Sequence, residues 1–112
     1  MSEDKRLGKV KSAYVEIEDH GVLTLWVHLD FGGSCQGFGG HSLDGPAGPD
    51  LIRRVFGVFD VTRFDSMIGR TVYATRNAPG GIIVGLETPP FDKGEPLRIS
   101  EWREEWFPEE EA

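Results

Sequence analysis

The sequence predicts an α+β fold: a mostly antiparallel sheet of about five strands with one main helix and one short helical turn on one face. Three observations lead there. Leu23, Leu25, Val27 and Leu29 alternate with Thr24, Trp26, His28 and Asp30, a period of two that marks a half-buried strand. Leu51, Ile52, Val55, Phe56, Val58 and Phe59 gather on one arc of a helical wheel, leaving Arg53, Arg54 and Gly57 on the other. Only that segment has a good helical pattern, whereas a parallel βαβ sheet needs a helix between most strands.

The elements follow in order. Residues 1–8 are polar and charged, and read as a frayed end. From Val10 alternation begins, with Ala13, Val15 and Ile17 expected to face the core. Glu18-Asp19-His20-Gly21 makes a turn in which Gly21 is free to take a positive φ, so the first two strands form a hairpin. Residues 32–40 hold five glycines and continue as a third, interrupted strand; residues 41–49 read as a loop. The helix is expected over residues 50–59, with Pro49 at its first turn. A short helical turn over residues 63–68 takes Thr62 as N-cap and ends at Gly69. Residues 71–77 and 82–86 form a hairpin about Ala78-Pro79-Gly80-Gly81. After Pro89, Pro90 and Pro96, residues 97–106 make a last strand or helix whose tryptophans seal the core.

With 112 residues, the chain is expected to be a single domain, residues 1–112, closed by an acidic tail at 107–112. The net charge of −7 is uneven. The last twelve residues carry six acids and one base, and residues 1–100 carry 13 acids against 11 bases. A body so near neutral lacks the basic footprint of a nucleic-acid polymer binder. No apolar run approaches the ~18 residues of a membrane span. The first twenty residues are charged rather than signal-like, and a lone Cys35 suits a reducing cytoplasm.

Chemistry-bearing patterns are sparse. His20, His28 and His41 lack metal-ligand spacing, and Cys35 has no base partner in sequence. No metal, cofactor or catalytic residue is therefore expected. Gln36-Gly37-Phe38-Gly39-Gly40 is neither G-x-G-x-x-G nor a Walker A loop. Two readings stay open. Its small residues let backbone N–H groups approach an anionic or planar ligand with Phe38 stacking on it, or they form a bulged strand packed tightly on a neighbour. Arg53, Arg54, Arg76 with Asn77, and Arg98 with Ser100 could supply cations and polar groups for a nucleotide, if they converge. Trp26 on the polar strand face points to a covering subunit.

The stretch from Glu18 through Gly40, with its Gln36–Gly40 element, resembles the phage-encoded Thoeris anti-defence protein 1 family. So does the order of an apolar helix at residues 51–59, a turn ending in Ile68-Gly69 and a hairpin at Gly80-Gly81. The resemblance spans residues 10–86 and 102–107. It implies a non-catalytic sponge in the cytoplasm of an infected bacterium, which sequesters cyclic ADP-ribose isomers, or in some members cyclic oligonucleotides, without degrading them. It also implies homo-oligomers with ligand at subunit interfaces. Carried over, it points to Phe38 and its flanking glycines, one of Arg53 or Arg54, Asn77, and Arg98 with Ser100. The segment between Pro89 and Pro96 and the acidic tail have no counterpart in the family. Two alternatives remain: a protein-binding inhibitor of a bacterial defence complex acting through its acidic surface, and a small nucleotide hydrolase.

Overall fold

The computed structural model describes residues 3–89 and 93–108. Its elements run β1 (Asp4–Ile17), β2 (Leu23–Asp30), β3 (Cys35–Ser42), α1 (Ala47–Phe59), a 3₁₀ turn (Phe64–Met67), β4 (Thr71–Arg76), β5 (Ile83–Glu87), β6 (Leu97–Arg98) and α2 (Ile99–Trp106). The fold is α+β, with six antiparallel strands rather than five, in the order β3-β2-β1-β4-β5-β6.

The long first strand organises the sheet. Its residues 4–9 pair with β4, residues 9–17 pair with β2, and an extra residue at Lys11 makes a bulge near the start of the second stretch. The expected frayed end is therefore corrected from Asp4 onward: Lys5, Arg6 and Lys9 are exposed there, and the backbone is paired regardless. The bulge also shifts which side chains face inward. Val10 is buried and Ala13 and Val15 half-buried against the core, but Ile17, expected inside, is 72% exposed at the strand end.

Leu25, Val27 and Leu29 of β2, Phe38 of β3, Val72 and Ala74 of β4, and Ile83 and Leu86 of β5 form one core. Onto it α1 lays Leu51, Val55, Val58 and Phe59, and α2 adds Ile99 and Trp102. Burying each such side chain contributes about 1.5–3 kcal/mol. The helical arc expected for α1 is the buried one, but the helix begins three residues early, at Ala47, with Pro46 in the N-cap position. It ends on Asp60, which takes a left-handed conformation (φ 54°) and returns its N–H to the last-turn carbonyls. The 3₁₀ turn has Arg63, not Thr62, in its N-cap position, and no side-chain cap.

The proline-rich segment before β6 has a structural task. Glu95 donates its backbone N–H to Gly57 O at 2.9 Å and Thr88 Oγ1 donates to Val58 O at 3.2 Å, so the segment satisfies open carbonyls near the end of α1. Across the sheet, Gln36 Nε2 donates to Gly81 O at 2.7 Å. The sheet thus curls far enough to bring β3 to the β4–β5 turn.

Candidate functional site

The glycine segment is explained by packing. Phe38 is fully buried, with its ring 5.8 Å from that of His41, and it is not available to stack on a ligand. A Cβ on Gly39 would lie 2.0 Å from Leu25 O, and its φ of +147° is one that side chains rarely adopt. Gly39 thereby allows the β2–β3 bulge. A Cβ on Gly37 would press on Trp26 and His28, and one on Gly40 on the far edge of the Trp26 indole. These glycines make room for Trp26, which lies across β3, stacks on His28 at 5.6 Å and donates its Nε1–H to Glu18 at 2.9 Å. The indole expected to await a subunit is half-buried within its own chain. That hydrogen bond, with a second from Thr24 Oγ1, holds the Glu18 carboxyl below its ordinary range. The cleft of ≈ 590 Å³ beside it, lined by Glu16, Glu18, Asp19 and His20, is acidic and repels phosphate.

Most of the expected arginines are held by carboxylates. Arg76 forks onto Asp4 with only 12% of its side chain exposed, and so ties β4 to the start of β1. Arg54 donates to Asp50 at 2.7 Å and to Glu105 at 2.6 Å, joining α1 to α2. Arg98 donates to Glu3 at 2.5 Å. Arg53 makes no ion pair among the described residues; with Arg54 it lines a smaller cleft of ≈ 370 Å³ that also holds Glu95 and Glu101. The eleven expected residues are therefore spread over several regions.

Three of them do converge. Asn77, Arg98 and Ser100 line one cleft of ≈ 580 Å³ together with Glu3, Val84, Ile99, Arg103, Glu104 and Phe107. Asn77 arrives from the end of β4, Val84 from β5, Arg98 from β6, and Ile99, Ser100, Arg103 and Glu104 from α2. Residues 99, 103 and 107, and beside them 100 and 104, are spaced by four, which places them along one side of a helix. That spacing was visible in the sequence, but with 97–106 read as strand or helix it selected no face, and Arg103, Glu104 and Phe107 were missed.

The helix is held from its other sides. Trp102 Nε1 donates to Ala47 O at 3.0 Å, Trp106 Nε1 donates to Asp50 at 2.8 Å, and Glu105 receives Arg54. The same Trp106 bond, with Arg54, keeps Asp50 ionised below the usual carboxylate range. Arg98 at the N-cap of α2 makes no side-chain cap bond, and among the described residues the first-turn amides beside Ser100 are a candidate anion-facing end. Arg103 makes no ion pair among the described residues.

Past Arg103 and Phe107 lies a second cleft of ≈ 560 Å³, lined by Gly40, His41, Ser42, Asp44 and Trp102 as well as those two. His41 sits between Phe38 and Trp102, its ring 5.9 Å from the indole. Burial, and then the nearby Arg103 charge, push its pKa down from 6.5, so its ring is neutral at neutral pH. Among the described residues no three His, Cys, Asp or Glu side chains come together as a metal site, and no helix is long and apolar enough to cross a membrane. Comparison with protein-family models, with curated proteins and with solved structures finds no match to this chain.

Proposed function

We propose that this chain is a sequestering protein, which takes a phosphorylated cyclic nucleotide of the cyclic ADP-ribose class into the α2 cleft and releases it unchanged. The convergence of Asn77, Arg98 and Ser100 with Arg103, which has no ion pair among the described residues, carries this reading. Two guanidiniums, a hydroxyl, a carboxamide and helix-start amides are groups that recognise phosphate and ribose oxygens. The pocket differs from the one expected on the resemblance to the Thoeris anti-defence protein family. Phe38 and the glycines belong to the scaffold, and Arg103 and Phe107 take their place. Assembly into oligomers that cover the cleft is part of the same proposal.

Retention decides it. The protein is mixed with cyclic ADP-ribose isomers, washed by filtration and heated, and the filtrate is analysed by mass spectrometry. Intact ligand in the filtrate, lost in Arg103→Ala and in Arg98→Ala, supports sequestration. Retention at the level of buffer controls, or recovery of hydrolysed ligand, refutes it.

A second reading has one observation behind it. Glu101 and Glu104 project exposed from α2 without ion pairs among the described residues, and would suit a basic protein partner. In that case Glu101→Gln with Glu104→Gln abolishes activity and Arg103→Ala does not.

A further inference from the structure

We infer that the second cleft, beyond Arg103 and Phe107, is a subsite for a planar heterocycle bearing an amino group, with the Asp44 carboxylate as its acceptor. The inference rests on the sequestering reading and deepens it, because the two clefts share Arg103 and Phe107 and so form one continuous surface around them. Each volume lies in the ~300–1,000 Å³ range of small-molecule sites.

The walls of the second cleft are aromatic. Phe107 is 59% exposed, yet its ring is fixed by an edge contact to the Trp102 indole, 5.6 Å between centroids at 73°. A ring so placed offers flat apolar area in a defined orientation, which is what stacking on a heterocycle requires. Trp102 is in turn fixed by its bond to Ala47 O, and the His41 ring packs tilted against the same indole. Because the imidazole is neutral at neutral pH, Arg103 remains the one cationic side chain lining this cleft among the described residues.

The polar content specifies the ligand further. Asp44 follows β3 on an exposed loop. Its backbone N–H goes to Ser42 Oγ at 3.2 Å, which fixes the loop. Among the described residues the Asp44 carboxylate receives one long hydrogen bond, from Leu23 N at 3.4 Å. An ionised carboxylate has about four acceptor positions, so most of its capacity is open to donors. A heterocycle with an exocyclic amino group supplies such donors, and one with only ring nitrogens and carbonyls presents lone pairs to a negative charge. Arg103, on the wall common to both clefts, can meet the phosphate side or lie flat on the ring.

Calorimetry with three probes tests this: ribose 5-phosphate, AMP, and purine riboside 5′-monophosphate, which is AMP without its amino group. AMP is expected to bind about tenfold tighter than the purine riboside monophosphate, the scale of one hydrogen bond to a charged acceptor. Asp44→Asn, which keeps only a neutral acceptor, should shrink that ratio toward one while leaving the melting temperature unchanged. Phe107→Ala should weaken both nucleotides and bring them toward ribose 5-phosphate. Equal binding of AMP and purine riboside monophosphate, or a ratio that Asp44→Asn does not alter, overturns the inference. So does failure of all three probes to bind. Retention of cyclic ADP-ribose is measured separately: if it persists in these cases the sequestering reading stands and only the subsite falls.

Discussion

Truncating Phe38 separates a scaffold residue from a ligand residue. The side chain is fully buried, opposite Val27 in the β2–β3 register and beside His41. Phe38→Ala removes the ring and leaves a cavity in the shared core beside Val27, a change that costs about 3–5 kcal/mol. For a domain of this size each kcal/mol moves the melting temperature by about 4 °C, so the midpoint should fall by about 12–20 °C. That is a large share of the ~5–15 kcal/mol of a typical domain, so a second, milder variant is measured beside it. Phe38→Leu retains most of the apolar volume and should lose less than about 2 kcal/mol while keeping full ligand retention, read well below its melt. Thermal and urea melts, run beside the filtration assay, give both quantities. A Phe38→Ala protein that melts within about 3 °C of the parent but no longer retains ligand would refute this packing, and restore Phe38 as a stacking residue.

Two further outcomes test the same structure. Gly39→Ala meets Leu25 O at 2.0 Å in a left-handed backbone region and should cost about 2–5 kcal/mol, whereas Gly57→Ala, which meets nothing within 4 Å in α1, should stabilise by about 0.5–1 kcal/mol; urea midpoints compare them. His41, whose folded pKa is depressed, binds its proton more weakly in the native than in the unfolded chain. Stability should therefore fall as pH drops below about 6.5, the unfolded value, and level off once the pH is below the native pKa. This loss lies above the carboxylate range in which Glu18, Asp50 and Asp65 give up theirs. His41→Gln should remove the slope near pH 6 and leave the acid limb, as followed by melting temperature against pH.

The elements legible in the sequence are those whose neighbours impose one pattern along the whole segment. β2 alternates cleanly because it is central, with one face on the core, and α1 shows its arc because one side lies on the sheet. The Glu18–Gly21 turn needed a residue at positive φ, and Gly21 has φ 79°. β1 was half-hidden because it changes partners midway and a bulge resets its face, so no single alternation runs through it. The candidate site was less legible still. Whether an arginine is free depends on carboxylates far along the chain: Asp4 for Arg76, Glu105 for Arg54, Glu3 for Arg98. Phe38 looked functional because the glycines around it suggested a ligand, when they were clearing space for Trp26.

Magnitudes decide which of the paired arginines a ligand can recruit. Arg76 and Asp4 are both largely withdrawn from water, at 12% and 28% side-chain exposure, and separating them would leave two poorly hydrated charges. Arg98 and Glu3 are 42% and 48% exposed, and a pair like that is worth about 0–1 kcal/mol. A phosphate making charge-assisted contacts of about 1.5–3 kcal/mol each can displace Glu3 with a net gain. The cleft then changes from balanced, with Arg98 and Arg103 against Glu3 and Glu104, to net positive at the start of α2. An eight-residue helix does not persist alone in water, so it is the Trp102, Trp106 and Glu105 anchors to α1 that keep those groups in place while the exchange occurs. On the sequestering proposal, binding substitutes an external anion for an internal one on a wall that is already built, and its affinity should be set by Arg103 and the helix start more than by Arg98.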